Sequence, residues 1–269
     1  MKIFLNKNKL VNFISNKKDL GFVPTMGALH KGHVSLLKRS IKESKKTIVT
    51  IFINKYQFNK KNDFFKYPKV LSKDIATLKK MKIDYLYLPS HNDIYPKGKN
   101  KKIIINKFSK TLCGKFRPGH FESVVDVIER FIKIINPKRI YLGEKDMQQL
   151  IIIKDYLKKN YKRVKVVSCK TIRENNGVAF SSRNSLLSKK EFKISSLITK
   201  FLLVSKIDIL KNKIFISDIK KKLLMMGVKK IDYIKVLDIN RILKFNSKKK
   251  KLKVFVAYYL GSTRLIDNI

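Results

Sequence analysis

LGFVPTMGALHKGHVSLLKRSIKESK, residues 20–45, changes its period in the middle. Residues 20–24 (LGFVP) are a short apolar run of strand type. From Gly32 onward apolar residues recur at three- and four-residue spacing, as on one face of a helix. The turn between them, PTMGALHKGH (residues 24–33), holds two of the four histidines and two of the ten glycines in the chain. The alternation then repeats. Further strands are expected at 47–54 (TIVTIFIN), 83–89 (IDYLYLP), 139–144 (RIYLGE) and 164–169 (VKVVSC), with helices at 32–45, 70–82, 123–135 and 148–160. Strand, helix, strand in repetition means crossover units and a parallel sheet covered on both faces. The fold class is therefore α/β: a Rossmann-like domain over residues 1–170. Beyond it the order changes to helices near 189–206 and 217–226 and strands at 231–238 and 251–260. That reads as a smaller α+β domain over 171–269, joined through TIRENNGVAFSSRN (171–184) with Gly177 as a hinge.

The composition limits the classes open to the chain. Its 269 residues are 44% hydrophobic and 10% aromatic, a globular profile. No apolar run is long enough for a bilayer, and MKIFLNKNKLVNF lacks the apolar core of a signal peptide, so a cytoplasmic location without membrane association is expected. Two cysteines, Cys113 and Cys169, give neither a disulfide framework nor a four-cysteine zinc site. The net charge of +44 raises nucleic acid as a partner. The lysines are diffuse, however, arginine is scarce, and basic runs such as SKKKKLK (247–253) lack interleaved aromatics. Lysine filling solvated surface accounts for the charge; nonspecific polyanion binding at low salt is expected, a specific nucleic-acid partner is not.

The loop after the first strand of a doubly wound fold is where such folds place their chemistry. Gly27 allows close backbone approach or a positive φ. The following helix start favours an anion. His30 and His33, three residues apart, can face one side and donate to phosphate oxygens as imidazolium groups. One capping and one surface histidine is the plain alternative. The loop is neither a P-loop nor a dinucleotide fingerprint. Other segments carry alternatives of their own. Asn54 and Gln57 end a strand and suit a small polar or carboxylate-bearing substrate, or form a polar turn. Arg117 and His120 flank a Pro-Gly turn. Gly143, Lys145, Asp146 and Gln149 follow another strand, and Lys145 and Asp146 suit a phosphate and a ribose hydroxyl. Ser181, Ser182 and Arg183 can clamp a polyphosphate or cap the next helix.

PTMGALHKGH, FINKYQF, YPK (67–69), RPGHF, GEKDMQQL and FSSRN together resemble the pantothenate synthetase (pantoate–β-alanine ligase) family, over almost the whole chain and most weakly after residue 190. That family belongs to the nucleotidyltransferases with a HIGH-type signature, here HKGH, and a KMSKS-like counterpart, here FSSR, on the mobile side of a cleft. The resemblance implies ATP-dependent condensation of pantoate with β-alanine to pantothenate, AMP and pyrophosphate through pantoyl adenylate. It implies catalytic roles for His33 as proton donor and for His30, Lys145 and Arg183. It places ATP on Met26, Gly27, Ala28, Leu29, His30, Lys31, Gly32 and His33, on Gly143, Glu144, Lys145 and Asp146, and on Ile172, Phe180, Ser181, Ser182 and Arg183. Gln57 and Gln149 would bind pantoate, with Asn54 and Arg117 as further substrate contacts. Mg²⁺ would bridge the phosphates, with Asp74 as an indirect ligand. A cytoplasmic homodimer is also implied.

Three departures from the family pattern stand out: Lys55 where proline is common, Phe180 where leucine or methionine is common, and Glu122-Ser123-Val124 where an RGV-like stretch is usual. They point to a slower or less stable enzyme with its reaction intact. Another adenylyl- or cytidylyltransferase, a nucleic-acid-binding protein and an inactive nucleotide-binding relic are the rival readings.

Overall fold

The structure is a computed structural model that describes residues 1–243 and 250–269. Residues 247–249, which open the basic run at 247–253, lie outside the described residues. The chain divides into two compact units. The first comprises Met1–Glu144 and Gln148–Lys170; the second comprises Lys145–Met147 and Thr171–Ile269. The short segment around Lys145 thus groups with the second unit although it lies inside the sequence of the first.

The first unit is built on a parallel sheet of six strands among the described residues: β1 (Lys2–Phe4), β2 (Leu20–Thr25), β3 (Lys46–Ile51), β4 (Tyr85–Tyr87), β5 (Arg139–Gly143) and β6 (Lys165–Cys169). Their spatial order is β1-β4-β3-β2-β5-β6. The chain winds outward from β2 through β3 to β4, then crosses back to β5 on the other side. The order therefore reverses between β2 and β5, the switch point at which open α/β sheets bind ligands. β1 lies outside the strands expected from the sequence. Three residues are too few to show a period, and parallel pairing of Lys2 with Tyr85 makes the strand, not its own pattern.

β2 pairs with β3 along its whole length, Leu20 opposite Lys46 to Thr25 opposite Ile51. Its pairing with β5 covers only Gly21 opposite Arg139 and Phe22 opposite Ile140. Beyond Phe22 the two strands separate. Pro24 sits in that part of β2, where no ladder bond toward β5 is required. It does not end the strand, which continues to Thr25.

Val23, Val49, Leu86 and Tyr141 of the sheet are fully buried against Leu37 of the helix Lys31–Glu43 and Leu78 of the helix Leu71–Lys80. Each such side chain contributes about 1.5–3 kcal/mol on burial. The near-continuous apolar strands follow from coverage of both faces.

The second unit carries an antiparallel sheet of three strands among the described residues: β7 (Lys230–Asp238), β8 (Leu252–Leu260) and β9 (Thr263–Asn268). Ile198 and Leu202 of the helix Lys189–Val204, and Ile219 and Leu223 of the helix Ile216–Met225, pack on Val254 and Val256 of β8. β9, with its charged Arg264 and Asp267, shows no strand signal in its own residues; its tight turn with β8 and pairing of Leu260 with Thr263 create it.

Candidate active site

In the first unit, the loop leaving β2 is shaped by two left-handed residues, Gly27 (φ 83°) and Ala28 (φ 51°). A Cβ on Gly27 would lie 2.9 Å from Asp74 Oδ2 and 3.1 Å from Ile51 Cγ2, so glycine is required for space as well as for φ. Ala28 holds a conformation that costs of order 1 kcal/mol for a residue with a side chain. What holds it there is Asp74. This carboxylate is 2% exposed and accepts the N–H of Ala28 at 2.8 Å and that of Leu29 at 2.7 Å. Thr25 ties the loop base: its hydroxyl donates to the Thr50 carbonyl at 2.8 Å and accepts the Gly27 N–H at 3.2 Å.

His30 is the N-cap of the helix Lys31–Glu43. Its Nδ1 accepts the Gly32 N–H at 3.1 Å, and Nδ1 of His33 accepts the His30 N–H at 3.3 Å. The two imidazoles form a reciprocal capping box, with ring centroids 4.0 Å apart. In this cap each Nδ1 is the acceptor, which leaves Nε2 of each ring as the position from which it can donate. A proton on Nδ1 would compete with the cap, so each ring is set to donate through Nε2. Capping and chemistry are thus not alternatives. The cap fixes each ring and sets Nε2 as the donor.

Gln57 ends the 3₁₀ turn Lys55–Gln57, which Asn54 caps by accepting the Tyr56 N–H at 3.3 Å. Asn54 is 1% exposed and donates to the Ser123 carbonyl at 3.1 Å. Tyr95 donates its hydroxyl to Asn54 Oδ1 at 3.2 Å. Asn54, expected to meet substrate, is committed to these internal bonds. Arg117 is similarly engaged: Nη2 donates to the Gln57 carbonyl at 2.9 Å and Nη1 to His120 Nε2 at 3.0 Å. His120 is buried and its Nδ1 donates to the same carbonyl at 2.8 Å. Gln57 is therefore pinned by its backbone, while its side-chain amide lies 2.8 Å from Met26 Sδ. The two adjacent glutamines separate. Gln148 is 5% exposed, accepts the Cys113 N–H at 3.0 Å and donates to the Phe108 and Thr111 carbonyls. Gln149, the one expected to bind substrate, is half-buried and makes no side-chain hydrogen bond among the described residues.

Asp74 was expected as an indirect magnesium ligand. Both of its oxygens already serve loop N–H groups, and the described residues hold no cluster of three or more His, Cys, Asp or Glu side chains fit for a metal. Mg²⁺ commonly keeps most of its waters and binds through substrate phosphates, so a metal carried by a nucleotide needs no such cage. Burial pushes the Cys169 thiol up to about 11, which leaves it protonated at neutral pH and no nucleophile.

The second unit gathers the other sequence-selected residues. Lys145 lies in the 3₁₀ turn Glu144–Asp146, with Nζ 3.4 Å from Asp146 Oδ1. Ser181 caps the turn Ser182–Leu186 by accepting the Arg183 N–H at 3.3 Å, so the capping reading of FSSRN holds for this serine. Phe180 donates its N–H to the Ile172 carbonyl at 3.1 Å. Lys145, Ser181 and Arg183 line one pocket together with Arg264, Tyr258 and Asp267.

Sequence reasoning missed Asp74 as an anchor, and the buried roles of Gln148 and Tyr95. An acidic residue in the first turn of a helix reads as a dipole partner, and nothing local announces a loop 46 positions away.

A doubly wound sheet with a histidine-capped helix at its switch point is an α/β architecture whose ligand loop carries the HxGH pattern. The family model for Pantoate-beta-alanine ligase matches residues 2–269, and the chain belongs to that family. Pantothenate synthetase from Ruthia magnifica subsp. Calyptogena magnifica is 40% identical over 263 residues, 97% of this chain and 94% of the relative. The one from Sulfurihydrogenibium sp. (strain YO3AOP1) is 39% identical over 257 residues, 94% and 92% of the two chains. Among solved structures, pantoate-beta-alanine ligase from Francisella tularensis, complexed with Beta-gamma ATP and beta-alanine, superposes with a TM-score of 0.86 at 34% identity, covering 100% of this chain and 97% of that one. Pantothenate synthetase from Thermus thermophilus gives 0.88 at 29% identity, covering 100% and 99%. The chain is an enzyme that forms pantothenate from pantoate and β-alanine with consumption of ATP. No helix among the described residues is long and apolar enough to cross a membrane.

Proposed function

We propose that the reaction runs in two steps and that the residues above divide the labour. A pantoate carboxylate oxygen attacks the α-phosphorus of ATP, the bond to the β-phosphate bridging oxygen breaks, and pyrophosphate leaves. The β-alanine amine then attacks the acyl carbon of pantoyl adenylate. The amine loses a proton, AMP departs with the bonding electrons, and pantothenate remains. Both steps need positioning and charge stabilisation more than a protein nucleophile.

The reciprocal cap of His30 and His33 is the observation that carries this reading. It holds two Nε2–H donors at a helix N-terminus, where backbone N–H groups also favour phosphate. His33 stabilises charge on the leaving phosphate oxygen, and His30 acts beside it. Met26 to His33 line the nucleotide with Gly143 and Glu144. Lys145 and Arg183 supply fixed positive charge to the phosphates, with Asp146 on the ribose and Ile172, Phe180, Ser181 and Ser182 along the nucleotide. Gln57 and Gln149 bind pantoate through their amides, and Asn54 and Arg117 serve them from behind. Mg²⁺, when present with ATP, neutralises phosphate charge. Residues 1–170 and 171–269 act as the ATP- and pantoate-binding domain and the lid domain respectively. Homodimeric assembly and a cytoplasmic location rest on the family resemblance alone, and sedimentation velocity tests the first.

Isotope exchange between pyrophosphate and ATP, without β-alanine, tests the reading. Exchange that requires pantoate supports the adenylate. Its absence from folded protein sinks the two-step scheme.

A further inference from the structure

β9 ends in two residues that reach in different directions within the second unit. Asn268 is 3% exposed, and its Nδ2 donates to the Lys145 carbonyl at 2.8 Å. The bond fixes the backbone of the 3₁₀ turn from which the Lys145 side chain springs. Its neighbour Asp267 takes a two-pronged ion pair from Arg173, with Nη1 2.7 Å from Oδ2 and Nη2 2.9 Å from Oδ1. Such fork-to-fork pairing fixes orientation as well as energy. Arg173 in turn donates to the Gly177 carbonyl at 3.0 Å and is bridged to Ala179 across the turn that leads into Phe180 and Ser181. Asp267 also accepts the Asn268 N–H on Oδ1 at 2.8 Å, which joins the two arms. Lys145, Ser181, Arg183 and Asp267 all line the same pocket.

We propose that Asp267 and Asn268 are positioning residues that hold the Lys145 turn and the FSSR segment in register for the ATP phosphates. The inference rests on the ligase reading, which gives Lys145 and Arg183 their phosphate roles. Asp267 and Asn268 spend their side-chain bonds on Arg173 and on the Lys145 carbonyl. Each acts through its partner, so the effect falls on ATP rather than on pantoate.

The test is pantoate-dependent pyrophosphate–ATP exchange on the full chain, with KM read separately for ATP and pantoate. Asn268→Asp keeps the shape but sets an acceptor against the Lys145 carbonyl. Its KM for ATP should rise about tenfold while the pantoate KM moves by less than about twofold. On a Lys145→Ala background the same change should add little, because the two act as one unit. An unchanged ATP KM, or an equal loss on both backgrounds, overturns the proposal. Should Asn268→Asp fail to fold, Asp267→Asn takes its place with Arg173→Ala as the second background, and the same two outcomes decide. A wild-type chain that folds but shows no pantoate-dependent exchange sinks the ligase reading itself, a result distinct from an active wild type indifferent to these variants.

Discussion

The Asp74 carboxylate holds the backbone of Leu29, whose N–H donates to Oδ1 at 2.7 Å, while Oδ2 takes the preceding N–H of Ala28. The loop before the histidines therefore takes its shape from a helix far along the chain. Asp74→Asn turns one acceptor into a donor facing an N–H. It should lower stability by about 1–3 kcal/mol and raise the KM for ATP. A magnesium titration separates this role from metal binding. If Asp74 anchors the loop, added magnesium restores nothing; recovery at high magnesium would return it to the metal.

The capping box makes a separable prediction about the histidines. Asparagine at this third helical position keeps a short acceptor near the Nδ1 position, but it lacks a donor at the reach of Nε2. His33→Asn should retain the melting temperature and lose about a hundredfold in exchange rate, the usual size for one donor to a developing charge. A loss matched by a large fall in melting temperature would mean that the cap, not the donor, was removed.

In the proposed scheme Arg117 bears on pantoate through Gln57. Its guanidinium serves the Gln57 carbonyl and His120 at once, which a lysine ammonium cannot do in one plane. Arg117→Lys should raise the KM for pantoate several-fold and leave the ATP KM alone. An effect confined to the ATP KM would remove Arg117 from the pantoate side.

The sheet of the first unit was legible because each of its longer strands holds a short apolar run and each of the expected helices carries a three-and-four spacing. Leu20–Thr25 and Lys31–Glu43 show both signals within one stretch. What was not legible depends on distant partners. β1 exists by pairing with β4, and β9 by pairing with β8. The candidate site shows the same division. His30, His33, Gln57 and Arg183 stand in recognisable local patterns. That Asn54 and Arg117 would bond inward, or that Asp74 would bond the loop, depends on where other elements bring carbonyls and N–H groups.

Ser123 tests the expectation that the departures weaken the enzyme. It lies in the first turn of the helix His120–Ile135 and is 1% exposed; its hydroxyl donates to the Gly119 carbonyl at 2.9 Å. Its own carbonyl accepts from Asn54. The residue is satisfied where it stands, and glycine there adds backbone freedom. Ser123→Gly should lower stability by about 0.5 kcal/mol and leave turnover unimproved. Faster turnover would restore the view that this serine impairs the enzyme.

His91 gives the fold a pH limit. Its ring stacks on Tyr95 with centroids 5.1 Å apart and lies 5.4 Å from Tyr56, and its Nε2 is buried without a hydrogen-bond partner among the described residues. Burial holds the imidazole below the usual histidine range, and the Lys55 charge adds to the effect. The unfolded chain therefore takes up this proton first, near pH 6.5. The stability linked to His91 is fully present above that pH. It is lost as pH falls from about 6.5 toward the lower folded-state value. The urea midpoint should drop between pH 7 and pH 5, before most carboxylates titrate. In His91→Phe, which keeps an aromatic ring but cannot take the proton, that part of the curve should flatten. An equally steep fall in the variant would assign the acid sensitivity to another group. Because Tyr95 also supports Asn54, activity in the wild type should decline across the same interval.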